Sequence, residues 1–170
     1  SMQLCVVIPI FNEEATILPL IEAVRRASPR PCRIVLVDDG STDGSGERCE
    51  EAAAADPSVT VVRFPANRGK TEALRAGLAR ADGDIVVTMD SDLQDDPAEI
   101  PRFLAKLDEG YDLVCGWKSN RQDPWHKRWA SRLFNGFTAR LFGLRLHDIN
   151  CGFKAMRIEV ARSLELKRDY

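Results

Sequence analysis

The stretch DIVVTMDSD, residues 84–92, joins an apolar run rich in β-branched residues to two aspartates, Asp90 and Asp92. β-Branched residues favour strands, and an apolar run without alternation is typical of a parallel strand covered on both faces. The stretch therefore predicts a buried strand that ends in a pair of carboxylates.

The same kind of apolar run recurs along the chain and alternates with stretches of helical spacing. Strands are predicted at 4–10, 33–39, 59–64, 84–90 and 112–116. Apolar residues at helical spacing predict helices at 15–27, 44–55, 70–81 and 97–109. This alternation predicts an α/β fold with a mostly parallel sheet flanked by helices.

Length and composition indicate one soluble domain over residues 1–170, since 44% of the residues are hydrophobic and 29% are charged. No apolar run approaches the roughly 20 residues of a membrane-spanning helix. The five cysteines lack metal-ligand spacing, so we expect buried free thiols in a reducing cytosol. A pI of about 5.8 and the lack of a known binding motif argue against a nucleic-acid partner.

Polar residues follow four of the predicted strands at the point where each strand ends. Because the carboxyl ends of parallel strands meet at one edge, and ligands bind there, we expect a site at this edge. The four junctions contain Asn12-Glu13-Glu14, Asp38-Asp39, Asn67-Arg68-Gly69-Lys70 and Asp90-Ser91-Asp92.

The last of these junctions predicts a metal site. Residues i and i+2 of a strand share a face, so a turn lets Asp90 and Asp92 converge on one ion. Hard oxygen ligands favour Mg²⁺ or Mn²⁺, and Mg²⁺ usually completes its shell with water and phosphate. We therefore expect Mg²⁺ or Mn²⁺ at Asp90 and Asp92, with Gln94 as a neutral ligand, and a phosphorylated substrate.

Two further aspartates follow directly. Asp95 and Asp96 precede Pro97, and acidic residues before a proline are typical of a helix start. We expect them to begin the next helix and not to bind the metal.

Four segments resemble, in order and spacing, the family 2 glycosyltransferases of the GT-A fold. They are VVIPIFNEE (6–14), VDDGSTDGS (37–45), NRGKTEALRAGLARADGD (67–84) and MDSDLQDDP (89–97). A fifth segment, HDINCGFKAMR (147–157), narrows the resemblance to the polyprenyl-phosphate branch, which includes dolichol-phosphate mannose synthase and bacterial undecaprenyl-phosphate glycosyltransferases. The resemblance implies a Rossmann-like GT-A fold.

The resemblance also implies roles for matching residues. The base and ribose pocket would contain Pro9, Phe11, Glu13, Asp38 and Asp39, and Lys70 would lie near the diphosphate. Asp90, Ser91 and Asp92 would complete the nucleotide-sugar site. The metal would be held by Asp90, Asp92 and Gln94, and the catalytic residues would be Asp92 and Asp148. Phe11 has core packing as an alternative role, and Asp148 has the alternative of a turn or cap residue.

The two parts of the chain differ in charge, since residues 1–116 carry −9 and residues 117–170 carry +7. This asymmetry suggests two anionic ligands that are bound differently.

Apolar residues at every fourth position from Trp125 to Leu141 predict a helical stripe, which with its basic flanks suits an anionic membrane surface. The alternative is a helix on the sheet with a solvated basic face. The predicted cations for an acceptor phosphate are Lys118, Arg121, Arg128 and Arg132.

The function implied by the resemblance is inverting, metal-dependent transfer of a hexose from a UDP- or GDP-sugar to a polyprenyl phosphate, at the cytoplasmic face of a membrane. The family pattern continues further, so we expect acceptor-site or membrane segments after this catalytic domain.

One alternative to this function is a polysaccharide-extending family 2 enzyme whose acceptor is a sugar hydroxyl. Another is a Mg²⁺-binding, receiver-like signalling domain, which would not need residues 117–170. A sugar-nucleotide pyrophosphorylase fits less well, because no glycine-rich loop follows the first strand.

Overall fold

The computed structural model describes residues 2–116, 128–131 and 153–165, which form one seven-stranded sheet with helices on both faces. The strands are β1 (Leu4–Ile10), β2 (Cys32–Asp38), β3 (Val59–Arg63), β4 (Ile85–Thr88), β5 (Leu113–Gly116), β6 (Arg128–Ser131) and β7 (Lys154–Arg157). The helices are α1 (Ile17–Ala27), α2 (Ser45–Ala55), α3 (Lys70–Arg80), α4 (Ile100–Asp108) and α5 (Ile158–Glu165), and a 3₁₀ turn (Pro97–Glu99) precedes α4. The predicted α/β fold is confirmed.

The order of the strands in the sheet is β3-β2-β1-β4-β7-β5-β6. The first four strands in this order are mutually parallel, whereas β7 runs antiparallel between β4 and β5, and β6 runs antiparallel on the other side of β5. The carboxyl ends of β1, β2 and β4 are therefore neighbours at one edge of the sheet.

Both faces of β1 are buried, as its unbroken apolar run predicts. Val6 and Ile8 pack in the core cluster under α1, α2 and α4, whereas Cys5 and Val7 pack in the cluster under α3 and α5. Helix α3 approaches β1 closely at Gly77, where an added Cβ would lie 2.3 Å from a methyl group of Val7. This close approach fixes the distance between α3 and the sheet, and with it the position of the first residue of α3.

The predicted helical stripe is wrong at the positions that the structure describes. Trp129 lies in β6, directly opposite Cys115 of β5. Strand β6 satisfies the backbone groups on the outer side of β5, and such a non-local pairing leaves no trace in local periodicity. The other stripe positions, including Trp125 and Leu141, lie outside the described residues.

Two other expectations concern cysteines and membrane helices. Four of the five cysteines are buried and free, as expected, and these are Cys5, Cys32, Cys49 and Cys115. The fifth, Cys151, lies outside the described residues. In the described part of the chain, no helix combines the length and apolar character needed to span a bilayer.

Candidate active site

A cavity of ≈ 290 Å³ opens at the edge where the polar junctions meet. Small-molecule sites start at about this volume. In the described part of the chain, its lining residues are Pro9, Ile10, Phe11, Glu13, Asp39, Asn67, Gly69, Lys70, Asp90, Ser91 and Asp92. Every residue expected to bind the nucleotide sugar lines it, with the exception of Asp38.

The end of β1 supplies an aromatic wall to this cavity. Phe11 is 46% exposed, so the alternative in which it packs in the core is wrong. The next residue, Asn12, has a φ of 50°, and its amide oxygen accepts the N–H of Thr42 at 2.9 Å. The N–H of Asn12 in turn donates to the hydroxyl of Ser41 at 3.0 Å. These bonds fix the turn after β1 and leave the Phe11 ring available for stacking on a flat ligand group.

Asp39 connects the end of β2 to the segment before α3. Its carboxylate accepts the N–H of Arg68 at 2.7 Å, the N–H of Gly69 at 3.1 Å and the side-chain amide of Asn67 at 3.2 Å. Gly69 has a φ of 96°, a conformation that residues with a side chain rarely adopt. Together these features place Lys70, the first residue of α3, on the cavity wall.

Asp38 takes a different position, although it is adjacent to Asp39 in the chain. It is 1% exposed, one oxygen accepts the N–H of Ser41 at 3.0 Å, and the other lies 3.4 Å from Nε of Arg63. This geometry holds the turn after β2. A direct contact between Asp38 and the base or ribose stays a prediction, and the placement of its carboxylate does not favour that contact.

The two predicted metal ligands, Asp90 and Asp92, both line the cavity after β4. Asp90 forms an ion pair with Nζ of Lys70 across the cavity. Asp92 is exposed, and one of its oxygens accepts the N–H of Gln94 at 3.1 Å. Gln94 itself does not line the cavity, so its role as a metal ligand stays a prediction.

The two aspartates that follow have different roles. Asp96 accepts the N–H of Ala98 at 3.0 Å and caps the 3₁₀ turn, which confirms its expected place at a helix start. Asp95 instead turns back, and its buried carboxylate accepts the N–H of Asp90 at 2.8 Å. The expectation that Asp95 begins the helix is therefore wrong: its carboxylate instead forms a bond within residues 90–96, which we call the acidic loop.

The donor set at this edge fits a hard divalent cation. Among the described residues, no group of three or more His, Cys, Asp or Glu side chains is placed to hold a metal ion. Two carboxylates on an open cavity wall fit a cation that takes its remaining ligands from water and phosphate. Asp90 and Asp92 are the residues that would hold such a cation, and Lys70 adds a positive charge beside them.

Several predicted site residues lie outside the described part of the chain, namely Lys118, Arg121, Arg132 and Asp148. Of Arg128, only the backbone is described, as the first residue of β6. Among the described lining residues, the sequence analysis assigned no role to Ile10, Asn67 and Gly69. The polar junction that contains Asn67 and Gly69 was the available signal, but it does not show which of its residues face a ligand.

Comparisons with known proteins add to this geometry. The family described as "Glycosyl transferase family 2" matches residues 5–164. Two curated relatives are undecaprenyl-phosphate 4-deoxy-4-formamido-L-arabinose transferases. The one from Pseudomonas paraeruginosa is 41% identical over 163 residues, which are 94% of this chain and 48% of the relative. The one from Proteus mirabilis is 40% identical over 156 residues, which are 89% of this chain and 48% of the relative. The chain thus spans about half the length of these relatives.

Two solved structures share the fold. A mannosyltransferase from Pyrobaculum calidifontis, in complex with GDP-Man and Mn²⁺, matches with a TM-score of 0.69 and 21% identity over 96% of this chain and 46% of that one. The glucosyl-3-phosphoglycerate synthase of Mycobacterium tuberculosis, in complex with Mn²⁺, UDP-glucose and phosphoglyceric acid, matches with a TM-score of 0.59 and 26% identity. That match covers 94% of this chain and 58% of the synthase. The architecture is therefore the expected GT-A fold.

Proposed function

The chain belongs to glycosyl transferase family 2, and from this membership we propose that it forms the donor-binding part of an enzyme that transfers a sugar from a nucleotide-diphosphate sugar to a polyprenyl phosphate. The observation that carries the proposal is the cavity in which Phe11, Asp39, Lys70, Asp90 and Asp92 meet. An aromatic wall, carboxylates and a lysine are the groups that a base, a ribose and a diphosphate require.

Each part of the donor has a suitable partner in this cavity. The exposed ring of Phe11 offers a stacking surface for the base. Glu13 offers carboxylate oxygens to the ribose hydroxyls. The Asp39 carboxylate has less capacity left for a ligand, because it already accepts hydrogen bonds from the segment before α3. Lys70 is positioned for the diphosphate. Both UDP- and GDP-sugars fit this description.

The metal dependence of the reaction is part of the proposal. A Mg²⁺ or Mn²⁺ ion held by Asp90 and Asp92 would stabilise the negative charge that develops on the leaving diphosphate. Lys70 would move from Asp90 to a phosphate oxygen as the donor binds, because the carboxylate would then face the cation. The synthase of 26% identity, which was solved in complex with Mn²⁺ and UDP-glucose, supports the use of a divalent cation.

The acceptor is inferred from the named relatives, which are undecaprenyl-phosphate transferases. The second pKa of a phosphate monoester is about 6 in phosphorylated side chains, so such a group is largely ionised at neutral pH. Such an acceptor needs positioning more than a general base, and direct displacement would invert the anomeric centre. The lipid would place the enzyme at a membrane surface, and its location at the cytoplasmic face stays a prediction from the resemblance.

Two of the earlier expectations are revised here. The relatives are named for an arabinose derivative, which is a pentose, so the donor sugar is not restricted to the hexose that the resemblance implied. The receiver-like alternative is excluded, because the family match spans residues 5–164. A polysaccharide-extending enzyme with a sugar-hydroxyl acceptor remains the second candidate within the family.

The test of the donor site is a thermal-shift panel of UDP, GDP and their sugars, each with and without Mn²⁺. A ligand that binds the folded state raises the melting temperature by mass action. We expect one base to give a shift that grows when Mn²⁺ is added. If neither nucleotide shifts the melting temperature in the presence of Mn²⁺, the donor site is wrongly assigned. Transfer itself is measured with a longer protein and a short-chain polyprenyl phosphate, against an oligosaccharide acceptor.

A further inference from the structure

Thr16 occupies the N-cap position of α1 but does not cap that helix. An N-cap threonine usually accepts the N–H of the second or third helical residue. The third residue here is Pro19, which has no N–H, and Thr16 makes no side-chain cap bond. Its hydroxyl is therefore available for a partner outside the helix.

That partner belongs to the acidic loop. The hydroxyl of Thr16 lies 3.0 Å from the carbonyl oxygen of Ser91, the residue between Asp90 and Asp92. It also lies 3.0 Å from the carbonyl oxygen of Glu13 and 3.3 Å from the carboxylate of Glu13. The carbonyl of Glu13 already accepts the N–H of Thr16 at 3.0 Å. One hydroxyl proton thus faces three oxygens, and it can be donated fully to only one of them at a time.

These contacts connect two walls of the cavity, since Glu13 and Ser91 both line it. The N–H of Glu13 donates to the buried hydroxyl of Ser45 at 2.9 Å, so the backbone of Glu13 is held in place. The acidic loop is held from within by the bond between Asp95 and the N–H of Asp90. The Thr16 hydroxyl adds a bond to this loop from a different element of the fold.

We propose that Thr16 is a positioning residue that couples nucleotide binding at Glu13 to metal binding at Asp90 and Asp92. The inference rests on the proposed function and goes beyond it. When a ligand hydroxyl occupies the Glu13 carboxylate, the Thr16 proton goes to the Ser91 carbonyl and fixes the residue between the two metal ligands. Coupling of two binding events is reciprocal, so the metal also strengthens nucleotide binding through the same bond.

The experiment measures the Kd of the nucleoside diphosphate selected by the thermal-shift panel, with and without Mn²⁺, by titration calorimetry. Thr16→Val keeps the shape of the side chain and removes the hydroxyl, whereas Thr16→Ser keeps the hydroxyl. Thr60→Val, on the exposed side of the edge strand β3, is the control for the chemical change.

We expect Thr16→Val to leave the metal-free Kd within about twofold. The gain in affinity that Mn²⁺ gives should fall by about fivefold or more, because coupling between two sites typically changes affinity by at least about fivefold. Thr16→Ser and Thr60→Val should retain the full gain. An unchanged gain in Thr16→Val overturns the proposal. An equal loss of affinity with and without Mn²⁺ also overturns it, because that result indicates a purely structural role.

A second variant covers the case in which Thr16→Val does not fold, as judged by its melting curve. Thr16→Ala also removes the hydroxyl but adds no methyl group near Ser91, and it should show the same reduced gain. If the parent protein binds no nucleoside diphosphate, the proposed function fails. If the parent binds with a gain from Mn²⁺ and the Thr16 variants keep that gain, only the role of Thr16 fails.

Discussion

Lys70 and Asp90 form an ion pair that joins the first residue of α3 to the acidic loop after β4. Both side chains line the same cavity, so a bound diphosphate would compete with Asp90 for the ammonium group. Removal of the Lys70 charge should therefore weaken diphosphate binding in particular.

Lys70→Met should reduce the binding free energy of a nucleoside diphosphate by roughly 1.5–3 kcal/mol, the range for a hydrogen bond to a charged group. The affinity for the uncharged nucleoside should not change, since that ligand lacks the phosphates. Titration calorimetry with both ligands checks this difference. Lys106→Met, which removes a half-buried lysine of α4 paired with Glu109, is the matched control. Equal losses for nucleoside and diphosphate would remove Lys70 from the diphosphate site.

Asp92→Asn should abolish the part of the thermal shift that depends on Mn²⁺. Asparagine keeps an oxygen that accepts the N–H of Gln94, so the loop should retain its shape while one ligand charge is lost. The free energy of unfolding should change by less than about 0.5 kcal/mol, as for other surface substitutions. Asp108→Asn, at the far end of α4, is the control. A Mn²⁺-dependent shift that persists in Asp92→Asn would refute the metal site.

Asp39→Ala should lower the free energy of unfolding by about 1–3 kcal/mol, because it leaves partly buried N–H groups of Arg68 and Gly69 without their acceptor. Asp39→Asn should cost less, since one amide oxygen remains. Nucleotide affinity should fall with stability, because the same bonds place Lys70. Urea unfolding of the two variants gives the comparison. Parent-like stability of Asp39→Ala would show that the segment before α3 holds its shape without Asp39.

The pair Asp38 and Asp39 shows what the sequence could predict and what it could not. Their position after an apolar run predicted a polar edge, and that prediction needs only local pattern. Consecutive residues of a strand point to opposite faces, so the two carboxylates are expected to have different surroundings. Which of them faces the cavity depends on Arg63 in β3 and on the segment before α3, which are distant in the chain.

The same distinction applies to the acidic loop and to the sheet. The place of Asp90 and Asp92 after β4 follows from local sequence, whereas the return of Asp95 to the N–H of Asp90 depends on a turn that composition does not specify. Leu93, with a φ of 64°, belongs to that turn and is not a residue type that signals such a conformation. Strands β6 and β7 were missed because strand pairing across the sheet is non-local.

Stability should decrease at alkaline pH because of buried thiols. Burial raises the pKa of Cys5 to about 11 and that of Cys49 to about 12, above the value of 9.0 that applies to an exposed thiol. The folded state therefore favours the protonated form, and this contribution is complete below about pH 9 and is lost as the pH rises through the folded pKa values. Urea unfolding between about pH 8 and 10.5 should show the decline.

Cys49→Ala separates this effect from other titrations. The variant should be less stable at neutral pH, because a fully buried side chain is shortened. Its stability should then fall less steeply above about pH 9 than that of the parent. Parallel pH profiles for variant and parent would show that the Cys49 thiol does not contribute to the alkaline decline.

Strand β7 has a consequence for the order in which the protein folds. The strands β3-β2-β1-β4 form one part of the sheet and β5-β6 form another, and β7 pairs with both. During synthesis β4 and β5 leave the ribosome well before β7. The edge of each strand that pairs with β7 therefore has no partner until β7 is made. Contacts between residues distant in sequence form slowly, and open strand edges promote aggregation. We therefore expect closure of the sheet by β7 to be a late step, during which the nascent chain depends most on chaperones.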